Sequence, residues 1–246
     1  MTALLDARGL FFEGRLQPTD LRMKGPELIC LIGPNGSGKT SLLHAIARIG
    51  RAGGKVRVAG SELDGAAPRQ RKRLLSYLPA SRDIVWPLTV RDLVKLGLPA
   101  GAEAGEAEAA LSALALEPFS ERRIDRLSTG ERSRALIARA LAPKPRLLLL
   151  DEPVSNLDPL WQLRLMGILR SAVRREGQGA IVAMHDLDLA GRFADRLILM
   201  SEGAIVAEGD ADAILASEAL RRVFGVERSE EGWREAIPPA DPRSSR

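Results

Sequence analysis

The sequence has one cysteine, two histidines and one tyrosine among its 246 residues. A single thiol permits no internal disulfide, which suits a reducing compartment. Cys30 sits inside the apolar run Leu28-Ile29-Cys30-Leu31-Ile32 and reads as an inert core thiol rather than a reactive one. No apolar run approaches the roughly 20 residues of a membrane-spanning helix. The opening Met1-Thr2-Ala3-Leu4-Leu5-Asp6 carries charge too early for a secretory signal. No internal repeat is visible. The basic run Arg69-Gln70-Arg71-Lys72-Arg73 has no interleaved aromatics, so it does not support a nucleic-acid platform and reads as a solvated helix face.

What is present fits one large α/β domain, or a core with a small insert. Hydrophobic residues make up 45% of the chain, enough for a substantial core. The net charge of +4 is mildly basic and suits a protein that meets nucleotides, nucleic acid or an anionic membrane surface.

The most informative stretch is Gly33-Pro34-Asn35-Gly36-Ser37-Gly38-Lys39-Thr40. It matches the phosphate-binding loop pattern at every fixed position. A buried strand, Leu28–Ile32, precedes it, and a helix beginning at Ser41 follows, with apolar spacing through Ala47. Glycines let the backbone turn its N–H groups inward onto phosphate oxygens, and the new helix adds its own unpaired N–H groups. Lys39 is placed to reach the β- and γ-phosphates, and the Thr40 hydroxyl to ligate Mg²⁺. Gly33 to Ser41 are therefore the candidate nucleotide-binding residues.

Before the loop, residues 3–8 and 16–23 predict short strands around a turn at Glu13-Gly14. Phe11 and Phe12 lie in this opening: a ring there suits stacking on a purine, and equally suits a small core. Lys55–Gly60 alternates like a half-buried strand, a charged helix follows, and Leu74–Pro79 returns to strand character. From Ala80 to about Asp125 the spacing becomes helical, with Leu93, Leu96, Leu111, Leu114 and Leu116 as inner faces of two or three short helices. This predicts a helical subdomain at about 80–126, inserted into a core that spans 1–237. The Pro-, Ser- and Arg-rich stretch 238–246 reads as a frayed tail.

Downstream, Ser128-Thr129-Gly130-Glu131 has the capping-box pattern and predicts a helix to about Pro143. Arg146–Leu150 is a buried strand ending in Asp151 and Glu152. Asp158-Pro159 starts a long helix that ends near Gly177, and Ala180–Met184 is a strand ending at His185. Residues 196–200 and 204–207 form a hairpin around Ser201-Glu202-Gly203.

In parallel α/β sheets, ligands gather at the carboxyl ends of strands. Asp151 then faces the Mg²⁺ site, and Glu152 is placed to polarise a water for attack on the γ-phosphate. His185 ends a neighbouring strand and suits holding the γ-phosphate and that water. His44 has no such argument and reads as structural. The capped helix start at Ser128, Gly130 and Glu131 makes a second anion site.

Leu127-Ser128-Thr129-Gly130-Glu131-Arg132 resembles the signature motif of ATP-binding cassette (ABC) ATPases. The phosphate loop, the signature, the Leu-rich strand with Asp151-Glu152, the turn Ser155–Asp158 and His185 fall in that family's order. The resemblance covers residues 3 to 225 and implies a P-loop NTPase core with an N-terminal antiparallel β subdomain. It implies a head-to-tail homodimer binding ATP and Mg²⁺, in which the signature helix of one subunit completes the phosphate-loop site of the other. Glu152 becomes the general base, and the partners are integral membrane permease subunits, with the chain peripheral on the cytoplasmic face of the membrane. The helical insert docks on the permease through a loop near residues 77–87. The hairpin at Met200–Gly209 and Val223-Phe224-Gly225-Val226 are similar to importer ATPases for iron–siderophore, haem or vitamin B12. A regulatory module with weak hydrolysis and an exporter subunit are the alternatives. Ala80 stands where the family usually has a Gln that ligates Mg²⁺, and Thr129 where it usually has Gly.

Overall fold

The computed structural model describes residues 2–81, 87–229 and 231–236. The frayed tail expected at 238–246 and residues 82–86 of the expected docking loop lie outside this range.

The chain opens with a hairpin, β1 (Leu5–Phe12) and β2 (Leu16–Met23), turned at Glu13 to Arg15. Strand β3 (Leu28–Ile32) is buried on both faces and runs through the phosphate loop into helix α1 (Lys39–Ala47). Next come β4 (Ala52–Val58), β5 (Ser61–Glu62), helix α2 (Pro68–Leu74) and β6 (Leu75–Leu78). Strands β2, β1, β4 and β5 make a four-stranded antiparallel sheet in that order.

Between β6 and helix α5 (Thr129–Leu141) lie helices α3 (Val90–Gly97) and α4 (Ala104–Ala113) and two 3₁₀ turns, Glu117–Phe119 and Ile124–Arg126. Of the leucines expected on inner faces, Leu93, Leu111, Leu114 and Leu116 are buried, but Leu96 is 57% exposed. Helix α3 turns Val90, Leu93 and Val94 inward, and its last residue, Gly97, lies against the Arg139 carbonyl of α5. Leu96 falls on the opposite side of that short helix.

The second half contributes β7 (Leu147–Asp151), α6 (Pro159–Glu176), β8 (Gly179–Ala183), α7 (Leu187–Phe193), β9 (Arg196–Ser201) and β10 (Ala204–Gly209). Helices α8 (Ala211–Leu215) and α9 (Glu218–Phe224) and the hairpin β11 (Val226–Ser229) and β12 (Gly232–Glu235) follow. The main sheet has the order β10-β9-β3-β8-β7-β6, parallel except for β10. Alternate residues of its strands enter two separate cores. Leu28, Cys30 and Ile32 pack on one side with residues from α3 to α7, and Ile29 and Leu31 pack on the other with α1 and the antiparallel sheet. Burial pushes the Cys30 thiol up to about 12, so it stays protonated and inert.

The basic run on α2 is a solvated face only at Arg69 and Gln70; Arg71, Lys72 and Arg73 are half-buried and bonded. Arg71 donates to the carbonyls of Leu63 and Ala47, and Lys72 to those of Leu96 and Leu98. Arg73 donates to the Pro143 carbonyl and makes a bidentate pair with Glu106 of α4. Apart from Leu63, these carbonyls lie at or just past helix ends, where backbone acceptors lack intrahelical partners. The cations tie α2 to α1, α3 and α4 at once.

Candidate active site

The register of the main sheet assembles the site. Leu31 of β3 pairs with Ala183 of β8, and Ala183 pairs with Asp151 of β7. Gly33, Glu152 and His185 therefore leave the sheet at nearly the same level. There they meet the start of α1 around a cavity of about 730 Å³. Its lining includes Gly14 to Gln17, Asn35 to Ser41, Ala80, Asp151, Glu152, His185, Glu202 and Gly203.

The loop adopts a backbone that only glycine tolerates at its first position. Gly33 has φ 155°, and a Cβ there would lie 2.3 Å from the Met200 carbonyl oxygen. Helix α1 has no side-chain cap, so its first N–H groups are left for a ligand. Lys39 is buried and donates to the carbonyls of Gly33 (2.7 Å) and Pro34 (3.1 Å), folding the loop back on itself. Burial lowers the Lys39 pKa, and the charges of Glu152 and Asp151 oppose that shift.

Thr40 Oγ1 donates to Asp151 Oδ2 at 2.7 Å, so a hydroxyl and a carboxylate converge on one point beside the loop. Both are hard oxygen donors of the kind Mg²⁺ prefers. Among the described residues no cluster of three or more His, Cys, Asp or Glu has metal-site geometry. Two protein oxygens fit a cation that takes its remaining ligands from phosphate and water.

Glu152 is the residue immediately after β7 and has φ 50°, in the left-handed region. Its N–H donates to the Ala183 carbonyl at 3.0 Å, and its Oε1 lies 2.8 Å from His185 Nε2. Burial pushes the His185 pKa below its ordinary value. Lys39 adds to that shift, while Asp151 and a backbone hydrogen bond with Gly33 oppose it. The shift favours the neutral imidazole.

The capping box expected at the signature helix is formed in full. Ser128 Oγ accepts from the Glu131 N–H at 3.3 Å, and Glu131 Oε2 accepts from the Ser128 N–H at 2.8 Å. Those two hydrogen bonds leave other N–H groups of the first turn without intrahelical partners. Ser128, Gly130 and Glu131 do not line the cavity. Gly130 instead faces the Asn156 carbonyl in the turn before α6. Arg134 of the same helix is buried, donates to the Leu114 and Ala115 carbonyls and lies 4.2 Å from the Trp161 ring centroid. It locks the helix to its neighbours.

Neither Phe11 nor Phe12 reaches the cavity. Bulges in β1 shift its pairing with β2 and β4 around these residues. The Phe11 ring lies over Gly53, and Phe12 packs against Gly50 and His44. His44 sits between Phe12 and Tyr77 as a structural residue. Arg15, in the hairpin turn, lines the cavity instead. No motif singles it out, because the turn meets the loop only through tertiary packing.

Among the described residues no helix is long and apolar enough to cross a membrane. The ABC transporter family matches residues 16–155. The chain is 40% identical to the hemin import ATP-binding protein HmuV of Rhizobium johnstonii over 81% of this chain and 80% of that one. It is 35% identical to the protein of that name from Rhodopseudomonas palustris, over 93% of each. Among solved structures it resembles the dimeric, post-hydrolysis ATP-binding cassette MJ0796 bound to ADP and Pi. The TM-score is 0.75 at 25% identity, covering 84% of this chain and 98% of that one. With the phosphate loop, the paired carboxylates and the separate capped helix all in place, the chain belongs to the ABC transporter family and is one of its ATP-hydrolysing, nucleotide-binding subunits.

Proposed function

We propose that this chain hydrolyses ATP to drive import through a membrane permease, with haem or a related iron chelate as the cargo of the complete transporter. The support for the cargo is the likeness to hemin import ATP-binding proteins. The observation that carries the mechanism is the division of the site: Lys39, Thr40, Asp151, Glu152 and His185 share one cavity, while Ser128, Gly130 and Glu131 stand outside it. A head-to-tail homodimer accounts for that division, because the capped helix of one copy then closes the cavity of the other.

In this reading Gly33 to Ser41 cradle the phosphates and Lys39 leaves the loop carbonyls to reach the β- and γ-phosphates. Thr40 and Asp151 would hold Mg²⁺, and the bound ion would supply charge neutralisation for phosphoryl transfer. Glu152 accepts a proton from the attacking water, and neutral His185 positions that water and the γ-phosphate. Ala80 lines the cavity with a methyl group and offers the cation nothing. In this reading the helical segment at about 80–126 is a subdomain within 1–237 and contacts the permease from the cytoplasmic face.

Co-expression with a haem permease, reconstitution in vesicles and assay of ATP-dependent haem uptake test this. Uptake that Glu152→Gln abolishes, while trapping an ATP-bound dimer, is the expected result. Robust ATP turnover with no dimer at saturating ATP and Mg²⁺ overturns the shared-site reading. Specific association with no membrane partner overturns the transport reading.

A further inference from the structure

A second cavity, of about 290 Å³, lies where α4 meets α6, the C-terminal end of α5 and the residue that leads into β8. It shares no residue with the nucleotide cavity. Alanines of α4, with Leu141 and Ile168, give it apolar walls, and Gln178, Lys144 and Glu176 bring polar groups to it. We infer that this cavity is a binding site for a small zwitterion, a free amino acid with an aliphatic side chain.

The amide of Gln178 marks the site. The residue is only 4% exposed, and among the described residues no hydrogen bond reaches its side chain. Its backbone is fully engaged: its own N–H donates to the Ala172 carbonyl at 3.3 Å, and the Gly179 N–H that follows donates to the Arg146 carbonyl at 2.8 Å. Neither side-chain amide atom is among those sealed in the core without a partner. The amide therefore opens onto the cavity that the residue lines. A nearly buried amide with two donors and an acceptor unused is costly, and a ligand carrying both an acceptor and a donor removes that cost.

The charges at the cavity select the ligand. Glu106 lines it too, but Arg73 already holds that carboxylate through two hydrogen bonds. Lys144 attracts Glu106 only through space. Among the described residues neither Lys144 nor Glu176 forms an ion pair or a hydrogen bond through its side chain. One free cation and one free anion thus remain. Lys144 suits a carboxylate. Glu176 is the last residue of α6, where the negative end of the helix dipole adds to its pull on an ammonium group. The volume falls just below the usual range for drug-sized ligands, and the alanines, Leu141 and Ile168 suit a short hydrocarbon body. Such an occupant bridges α4 of the helical segment to α6 of the core.

The test is calorimetric titration of the full chain, without nucleotide, with leucine, leucinamide, isocaproate and glycine, for wild type and for Gln178→Leu, Lys144→Gln and Glu176→Gln. Leucine is expected to bind once per chain with a Kd of about 1 mM or below. Leucinamide lacks the carboxylate, isocaproate the ammonium and glycine the aliphatic body, and each is expected to bind about tenfold more weakly or worse. Each substitution should weaken leucine by about tenfold. In the unliganded chain Gln178→Leu removes an unpaired amide, so its Tm should rise. Lys144→Gln and Glu176→Gln alter exposed side chains and should keep the wild-type Tm, so that their loss of leucine binding reads the site and not the fold. No binding of leucine at about 10 mM overturns the inference, and so does leucine binding that all three substitutions leave intact. Isocaproate binding as tightly as leucine makes this an anion site, and leucinamide binding as tightly makes it a cation site; either result overturns the zwitterion.

Discussion

Glu152 offers a test of how the site is built, because its backbone works against its own stability. In β7 the odd-numbered residues Leu147 and Leu149 face the core that contains α1, while Leu148 and Leu150 face the helices on the other side. Asp151 continues the first set and meets Thr40 of α1. A regular strand would send Glu152 to the opposite, apolar face. Instead φ is 50°, and the carboxylate lines the same cavity as Asp151. A left-handed conformation costs a residue with a Cβ roughly 1–2 kcal/mol. Glycine escapes that cost but loses roughly 0.5–1 kcal/mol to chain entropy relative to alanine. Comparing Glu152→Gly with Glu152→Ala isolates the backbone, since both remove the carboxylate. At an ordinary position alanine is the more stable of the two. Here glycine should win by about 1 kcal/mol, which for a chain of this size raises Tm by roughly 2–4 °C. Thermal unfolding of both variants without nucleotide measures the difference, and ATP turnover should be absent in both. If Glu152→Ala melts at or above Glu152→Gly, the backbone at this position is unstrained and the account of how the carboxylate is aimed is wrong.

Other expectations follow from the same geometry. Gly33→Ala places a Cβ 2.3 Å from a main-chain oxygen that cannot swing away, so it should cost about 3 kcal/mol or more and abolish ATP binding; calorimetry and titration check both. Arg73→Met keeps the aliphatic stem but breaks the pair with Glu106; Arg73 is 41% exposed at its side chain, so the loss should be modest, about 1–2 kcal/mol. Glu106→Gln should cost a similar amount, and the double variant less than the sum in urea unfolding. The depressed pKa of His185 favours its neutral form in the folded chain. Its contribution to stability is therefore full above the ordinary pKa of about 6.5 and is lost as pH falls toward the folded value. ATP turnover should decline over the same acidic window, and His185→Gln should flatten that limb of the pH–rate profile.

The parts of this molecule that could be read from sequence are those with local causes. The phosphate loop, the Ser128–Glu131 capping box and the Asp158-Pro159 helix start depend on neighbours within a few residues. The buried strands β3, β7 and β8 declare themselves as short apolar runs. What escaped depends on partners distant in the chain. The cations of α2 look solvated until the ends of α1, α3 and α5 supply carbonyls for them. Phe11 and Phe12 look available for a base until β-bulges turn them onto Gly53 and Gly50. Arg15 carries no motif, and its placement comes from two glycines far along the chain, Gly38 and Gly203, that let the hairpin turn approach closely.

The precision of the site comes from the sheet rather than from its loops. The row Leu31–Ala183–Asp151 is held by parallel ladders on both sides of β8. Hydrogen bonding continues one step past the row: the Met184 N–H donates to the Leu31 carbonyl at 3.1 Å, and the Glu152 N–H to the Ala183 carbonyl at 3.0 Å. Gly33 and His185 each lie two residues beyond this row and Glu152 one. A one-residue slip of β7 would turn Asp151 away from Thr40 and expose the wrong leucines to both cores. The same alternation that sorts Leu147 to Leu150 between two hydrophobic cores thus sets the 2.7 Å contact between Thr40 and Asp151. Packing enforces the register over every strand, so the catalytic geometry inherits the stability of the whole core and needs no separate support. Only Glu152 falls outside that logic: it must leave the strand's alternation to join Asp151, and the left-handed backbone at that one residue is how it does so.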